Sequence, residues 1–294
     1  MTYSIVARDA ASGALGVAVH SCFFGVGAVV PFTRPGVGAV ATQAFTDPTY
    51  GPRCLDELAA GATAAEALDK AAAADPAAFL RQVGVIGADG SVAAHTGAAC
   101  IDHAGHRTGE GFAVQANMMA SPSVWPAMAD AYATASGPLP RRLLAALDAA
   151  QAAGGDARGV MSAALVVAGG SHGDGRLVDL RVDRSSDPLG DLGRLLDAAD
   201  AYDRFNRATN ELVGGDAAAA VADLDAGLAL LPGEPNLVFL RAAALLGRGD
   251  IDAGRRELRS LLASHPTWEV IVRGFAAKGL LRLPATASIE ALIG

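Results

Sequence analysis

The strongest constraint on this chain is a change in its apolar pattern at "RSSDPLGD", residues 184–191. Before it strand-like and helix-like segments alternate, and after it every segment is helical. The division reads as a mixed domain over 1–185 followed by an all-helical one over 192–294. In the first stretch "TYSIVARD" and "LGVAVHS" are β-rich runs joined by "AASGA", whose Gly13 marks a hairpin turn. "GVGAVATQAF" reads as a buried third strand. "PRCLDELAAGATAAEALDKAAAADPAAFLRQ" reads as helices, broken at Gly61 and re-capped at Thr63. Strands return in "VGVIGADGSVAAHTG", which turns at Asp89-Gly90, and in "GEGFAVQANMM". Helical stretches at about 122–135 and 138–153 precede a last strand pair, "GVMSAALVVAGG" with "GRLVDLRVD". Hairpins dominate the strand connections, so antiparallel sheets covered by helices, an α+β class, are expected rather than a doubly wound parallel sheet.

A chain of 294 residues can bury a substantial core, and its net charge of −8 argues against a nucleic acid or an anionic membrane as partner. Lysine occurs only at Lys70 and Lys278. Cys22, Cys54 and Cys100 are an odd, widely spaced set with no CxxC pair, as suits reduced thiols in a cytoplasm. The first ten residues carry Arg8 beside Asp9 rather than a basic stretch before an apolar run, so no signal peptide is expected. The most apolar stretch, "GVGAVVPFTRPGVGAV", is cut by Pro31, Arg34 and Pro35, short of the ~20 residues a spanning helix needs. A cytoplasmic protein is expected.

The helical region repeats itself. Gly215-Asp216 returns as Gly249-Asp250, Ala219 as Ala253, Leu224 as Leu258 and Pro232 as Pro266, each 34 residues on. That is the period of tetratricopeptide helix pairs, in which small residues let helices pack closely and a proline ends the second. Two units are few for an array standing alone, so they are expected to lean on the first domain or on a protein partner.

The polar residues of the strands are the candidates for chemistry. Thr2 and Ser4 alternate in the opening strand and so share a face. A terminal Thr can be nucleophile and base at once, because its own α-amine, with a pKa near ~7.7–8.0, can take the hydroxyl proton. That requires removal of Met1, which a small second residue favours. The alternative is that both residues merely suit a strand. Gln115 and Asn117 are amides in an apolar strand ending, and Asn117 could either donate to an oxyanion or satisfy backbone. Of His20-Ser21 at the end of the second strand, Ser21 is the better pocket candidate. Tyr50 and Arg53 in "TDPTYGPR" could line a pocket and bind a substrate carboxylate, and His95 is placed with them as substrate-binding. His103 and His106 are three apart around a glycine-bearing loop, not on a helix of HExxH type, so no metal site is expected. Cys22 reads as a small buried hydrophobe.

The run "TYSIVARDAASGALGVAVHSCFFGVGAVVPFTRPGVGAVATQAFTDPTYGPRCL", with "VAAHTGAAC", "GFAVQANMM" and "GGDARGVMSAAL", resembles a bacterial family of unknown function placed in the N-terminal-nucleophile hydrolase superfamily. The resemblance covers roughly residues 1–185. The region after it resembles the helical tail, labelled peptidoglycan-binding, that accompanies this family, although nothing in its residues marks carbohydrate recognition. The resemblance implies a four-layer αββα sandwich whose first strand presents its first residue at one end of two sheets, and cleavage of amide bonds without a cofactor. Carried over, the nucleophile is Thr2, with Ser4 as neighbour or reserve. Asp156 and Ser162 in "GGDARGVMSAAL" would orient and charge-balance the amine. One departure stands out: proteasome-type members use a lysine from the third strand, where "GVGAVATQAF" offers Thr42 and Gln43. The expected function is an amidohydrolase acting on a small amide, acylated amino acid or peptide-like compound, with a homo-oligomer plausible. The competing expectation is a non-catalytic binding or assembly module whose helical tail recruits a partner.

Overall fold

The first two strands, β1 (Thr2–Arg8) and β2 (Leu15–Ser21), form the hairpin expected from their sequence, paired antiparallel from Thr2↔Ser21 to Arg8↔Leu15. The turn closes with Gly13 at φ 72° and with the Asp9 carboxylate accepting from the Ser12 N–H at 2.9 Å. The structure is a computed structural model that describes residues 2–169, 176–281 and 288–293; Met1 lies outside the described residues. Then follow β3 (Pro31–Arg34), β4 (Gly38–Ala44), α1 (Tyr50–Ala59), α2 (Ala64–Ala73), β5 (Arg81–Gly87), β6 (Val92–Thr96), β7 (Gly105–Gly109), β8 (Phe112–Asn117), α3 (Val124–Thr134), α4 (Leu139–Ala152), β9 (Ser162–Ala168) and β10 (Arg176–Val182). Helix α2 starts at a capping box in which Thr63 and Glu66 satisfy each other's backbone N–H groups.

The strands form two sheets, six-stranded in the order β10-β9-β2-β1-β8-β7 and four-stranded in the order β3-β4-β5-β6. Every neighbouring pair is antiparallel. Strands β3 and β7 were not expected from sequence, and both are edges. Pro31 opens β3, a place where the missing N–H costs no ladder bond, and "GHRTG" of β7 is too polar to carry a strand signal.

Side-chain alternation sorts the residues into three cores. Tyr3, Ile5 and Ala18 of the six-stranded sheet pack with Met128, Leu143 and Leu147 of α3 and α4. On the opposite face Val6, Val17 and Val19 meet Ala39, Ala41 and Ile86 of the four-stranded sheet. The far face of that second sheet, Val40, Val83 and Val85, packs with Tyr50, Cys54, Leu55 and Leu68 of α1 and α2. Each fully buried Val or Leu contributes ~1.5–3 kcal/mol. Thr2 and Ser4 share the face of Val6, so the opening strand turns its hydroxyls toward the second sheet.

The chain divides into two compact units, Met1–Leu195 and Leu196–Gly294. Segment 184–191, where the apolar pattern changes, bends into a helix: α5 (Pro188–Gly214) begins with proline at its first position and Asp187 accepting from the Gly190 N–H at 3.2 Å. The second unit continues with α6 (Ala217–Leu230), α7 (Pro235–Gly247), α8 (Ile251–Ser264), α9 (Glu269–Ala277) and α10 (Ile289–Ile293). The bounds of α6 and α8 stand 34 residues apart at both ends, as do the starts of α7 and α9. Gly215 and Gly249 have φ of 90° and 92°, and Asp216 and Asp250 cap the next helices by accepting from the N–H of Ala219 and Ala253. Among the described residues no helix is long and apolar enough to cross a membrane.

Candidate active site

The site follows from strand register. Thr2 lies opposite Ser21 of β2 on one side and Asn117 of β8 on the other, and Ser21 in turn lies opposite Ser162 of β9. Asn117, Thr2, Ser21 and Ser162 therefore form one row across four adjacent strands. One step inward Ser4 faces Gln115, and in the second sheet Gln43 of β4 faces Gln82 of β5. All of these side chains are buried.

Burial obliges them to satisfy one another, and apart from Gln115 Oε1, which has no hydrogen-bond partner among the described residues, they do so through a network of amides between the sheets. The Gln43 Nε2 shares its hydrogens among Gln82 Oε1 at 2.7 Å, the Thr2 carbonyl at 3.1 Å and the Gln115 carbonyl at 3.2 Å. Asn117 Nδ2 donates to Gln82 Oε1 at 2.9 Å and, more weakly, to the Thr2 carbonyl at 3.4 Å. Ser4 Oγ donates to Gln43 Oε1 at 2.6 Å and accepts from Gln115 Nε2 at 2.7 Å. Gln82 anchors the set by donating to the Ala116 carbonyl at 2.8 Å and to Thr96 Oγ1 at 2.9 Å. Gly84 makes room for Gln115: a β-carbon there would strike its Oε1. The backbone of Thr2 is thus held by two amides, while its Oγ1 lies 3.1 Å from the Ser21 hydroxyl.

Thr2 is 6% exposed, and that surface, with Ser21, opens into a cavity of about 380 Å³. Ser162 shapes its wall from beneath: its Oγ donates to the Phe23 carbonyl at 2.5 Å and accepts from the Val26 N–H at 3.2 Å, fixing the segment after β2. Asp156 does similar work, accepting from the Cys22 N–H at 3.0 Å and the Arg158 N–H at 2.9 Å, with the Arg158 guanidinium 3.3 Å away. Its carboxylate holds that loop in place.

Other candidates lie elsewhere. The Tyr50 side chain is buried under α1 and donates to Asp75 at 3.1 Å, and burial pushes its phenol up to about 12. Arg53 is exposed, and neither residue lines the cavity, although Thr46 and Pro48 of the same segment do. His95 is tied by Nε2 to the Ala78 carbonyl at 2.9 Å and also stands away from it. His20 points to the opposite face, stacked on Tyr3 with ring centroids 4.7 Å apart, and burial lowers its pKa to about 4. Gln82 and Thr96 are members of the network that sequence reasoning missed; for Gln82 the cause is that "FLRQ" continued a helical pattern into the first two residues of β5. Among the described residues no three His, Cys, Asp or Glu side chains are grouped to hold a metal. A larger hollow, about 750 Å³, lies at the other end of β1, where Arg142 pairs with Asp9 and Arg107 with Asp130.

Two antiparallel sheets with flanking helices, and a buried polar row where strand ends meet a cavity, define a mixed α/β protein with its candidate site at one sheet end. The chain belongs to a family of unknown function, DUF1028, whose sequence pattern matches residues 2–192. It is similar to protein SPO2555 from Silicibacter pomeroyi, a crystal structure assigned to the same family, with 32% identity over 66% of this chain and 84% of that one and a TM-score of 0.62. No curated protein matches the chain.

Proposed function

We propose that the first unit is an N-terminal-nucleophile amidohydrolase and that Thr2, freed by removal of Met1, attacks the carbonyl of a small amide. The observation that carries this reading is the placement of Thr2 Oγ1 at the cavity, 3.1 Å from Ser21 Oγ, with its own carbonyl clamped by Gln43 and Asn117. The stacking of helices, sheet, sheet and helices implied by the three cores supports a four-layer αββα sandwich. In the first step the Thr2 hydroxyl adds to the carbonyl and its proton passes to the α-amine, which delivers it to the departing amine. Water then attacks the resulting ester and restores the hydroxyl. Gln43 stands on the strand that carries a lysine in proteasome-type enzymes, and its neutral amide positions the Thr2 backbone. Proton transfer therefore falls to the α-amine. Asn117 has its hydrogens engaged with Gln82 and the Thr2 carbonyl, so stabilising the oxyanion falls to backbone N–H groups at the strand ends.

Two measurements test the reading. The intact mass of protein purified from its own host is expected to lack Met1. Thr2→Ala is expected to lose turnover of acylated amino acids and simple amides by at least ~10³-fold with an unchanged melting temperature; turnover retained in that variant, or retention of Met1, overturns the assignment. The engagement of every amide around Thr2 favours a second reading in that event, a ligand-binding module whose helical unit recruits a protein. The 34-residue offset of its helices supports a tetratricopeptide-like reading of that unit.

A further inference from the structure

Resting on the reading of Thr2 as the reacting residue, we infer that the group bound beside it is an uncharged, apolar acyl chain of medium length, aliphatic or aryl. Beyond Thr2 and Ser21 the cavity walls are largely hydrocarbon: Phe23, Val26, Val29 and Val30 after β2, and Phe45 and Pro48 after β4. Among the described residues that line it, no side chain carries a charge, and the one ionisable group at its edge is the Thr2 α-amine. The charged side chains nearby are paired or hydrogen-bonded, and Arg81 also donates to the Phe45 carbonyl at the rim. Asp47 holds the Thr49 N–H at 2.9 Å, Asp156 holds Cys22 and Arg158, and Arg81 pairs with Asp75 at 2.8 Å. Beyond the reach of the Thr2 α-amine, a carboxylate or ammonium on the acyl side would meet hydrocarbon walls without a counter-charge, and a buried unpaired charge is strongly disfavoured.

The cavity is also graded in depth. Val26 and Val30 are 1% exposed and form its floor, whereas Phe23 and Phe45 are 55% and 53% exposed and form its rim. Free-standing phenylalanines at a cavity mouth lose exposed area when an apolar group passes between them. About 380 Å³ lies at the lower end of the range of small-molecule sites, so the acyl part is limited to medium length and the amine side of the substrate remains outside the apolar walls. The Ser162 contacts with Phe23 and Val26 hold this wall in place, so the pocket is largely pre-formed.

The test uses the full chain carrying Thr2→Ala, so that amides survive, with binding of butanamide, hexanamide, phenylacetamide and succinamate followed by titration calorimetry or ligand-observed NMR. Affinity is expected to rise about fourfold per methylene from butanamide to hexanamide, with phenylacetamide comparable to hexanamide and succinamate at least tenfold weaker. Phe45→Asp, at an exposed rim position, is expected to fold normally and to abolish the gain with chain length. Equal binding of succinamate and hexanamide, no dependence on length, or no binding of any of the four overturns the inference. Ammonia release from hexanamide by the unsubstituted protein reports separately on Thr2: graded binding without turnover removes the nucleophile and leaves the pocket chemistry standing.

Discussion

Gln82 is the residue on which the buried network depends, because one carbonyl oxygen takes hydrogen bonds from both Gln43 and Asn117. Gln82→Ala leaves those amides without that acceptor and opens a hole between the sheets, so a destabilisation of about 3 kcal/mol is expected in urea unfolding. His20 is buried as a neutral ring whose two nitrogens have no hydrogen-bond partner among the described residues, with Asp156 the charge that partly offsets its burial. Its pKa falls from 6.5 to about 4 on folding, so below 6.5 the unfolded chain takes the proton more readily and stability declines as pH drops toward 4. The loss approaches ~3 kcal/mol, and His20→Phe is expected to flatten the stability profile between those two values. The face shared by Thr2 and Ser4 was legible in sequence, since alternation alone dictates it. The partnership of Ser4 with Gln43 and Gln115 was not, because it depends on two sheets meeting at a register no local pattern encodes.

At the scale of elements, legibility followed the strength of local signals. The two hairpins closing at Gly13 and Gly90, the capping box before α2 and the paired helices α6 and α8 all carry their own turn or cap chemistry, and the structure builds each where that chemistry stands. Edge strands β3 and β7 escaped because a proline and a run of polar residues carry little strand propensity; neighbours, not their own sequence, order them. The caps of α6 and α8 offer a measurement of how alike the repeats are. Asp216→Ala and Asp250→Ala each remove one N-cap acceptor and are each expected to cost about 1 kcal/mol, read as the shift in the denaturation midpoint. Equal costs would show that the equivalence extends from geometry to energy.

For the whole molecule, the scarcity of lysine has a practical consequence. With Met1 removed, the chain has only three amines, and the ε-amines of Lys70 and Lys278 have pKa values near ~10.4 when unperturbed, against ~7.7–8.0 for an α-amine. Acylation at pH ~7 is therefore expected to mark Thr2 first and to abolish amide turnover in step with the modification, followed by peptide mass mapping. The mixed domain was legible because it is written in hairpins, whereas its candidate site draws on residues 2, 21, 43, 82, 117 and 162, and no spacing between them announces a common destination. The row of Asn117, Thr2, Ser21 and Ser162 also sets an order of events in the making of the protein. β1 can pair with β2 as soon as both are synthesised, yet its other edge waits for β8, more than a hundred residues later, and the row closes only when β9 has joined. Contacts so distant in sequence form slowly, so Thr2 has its β2 neighbour early in synthesis but gains its full row only once β9, at Ser162–Ala168, has been made.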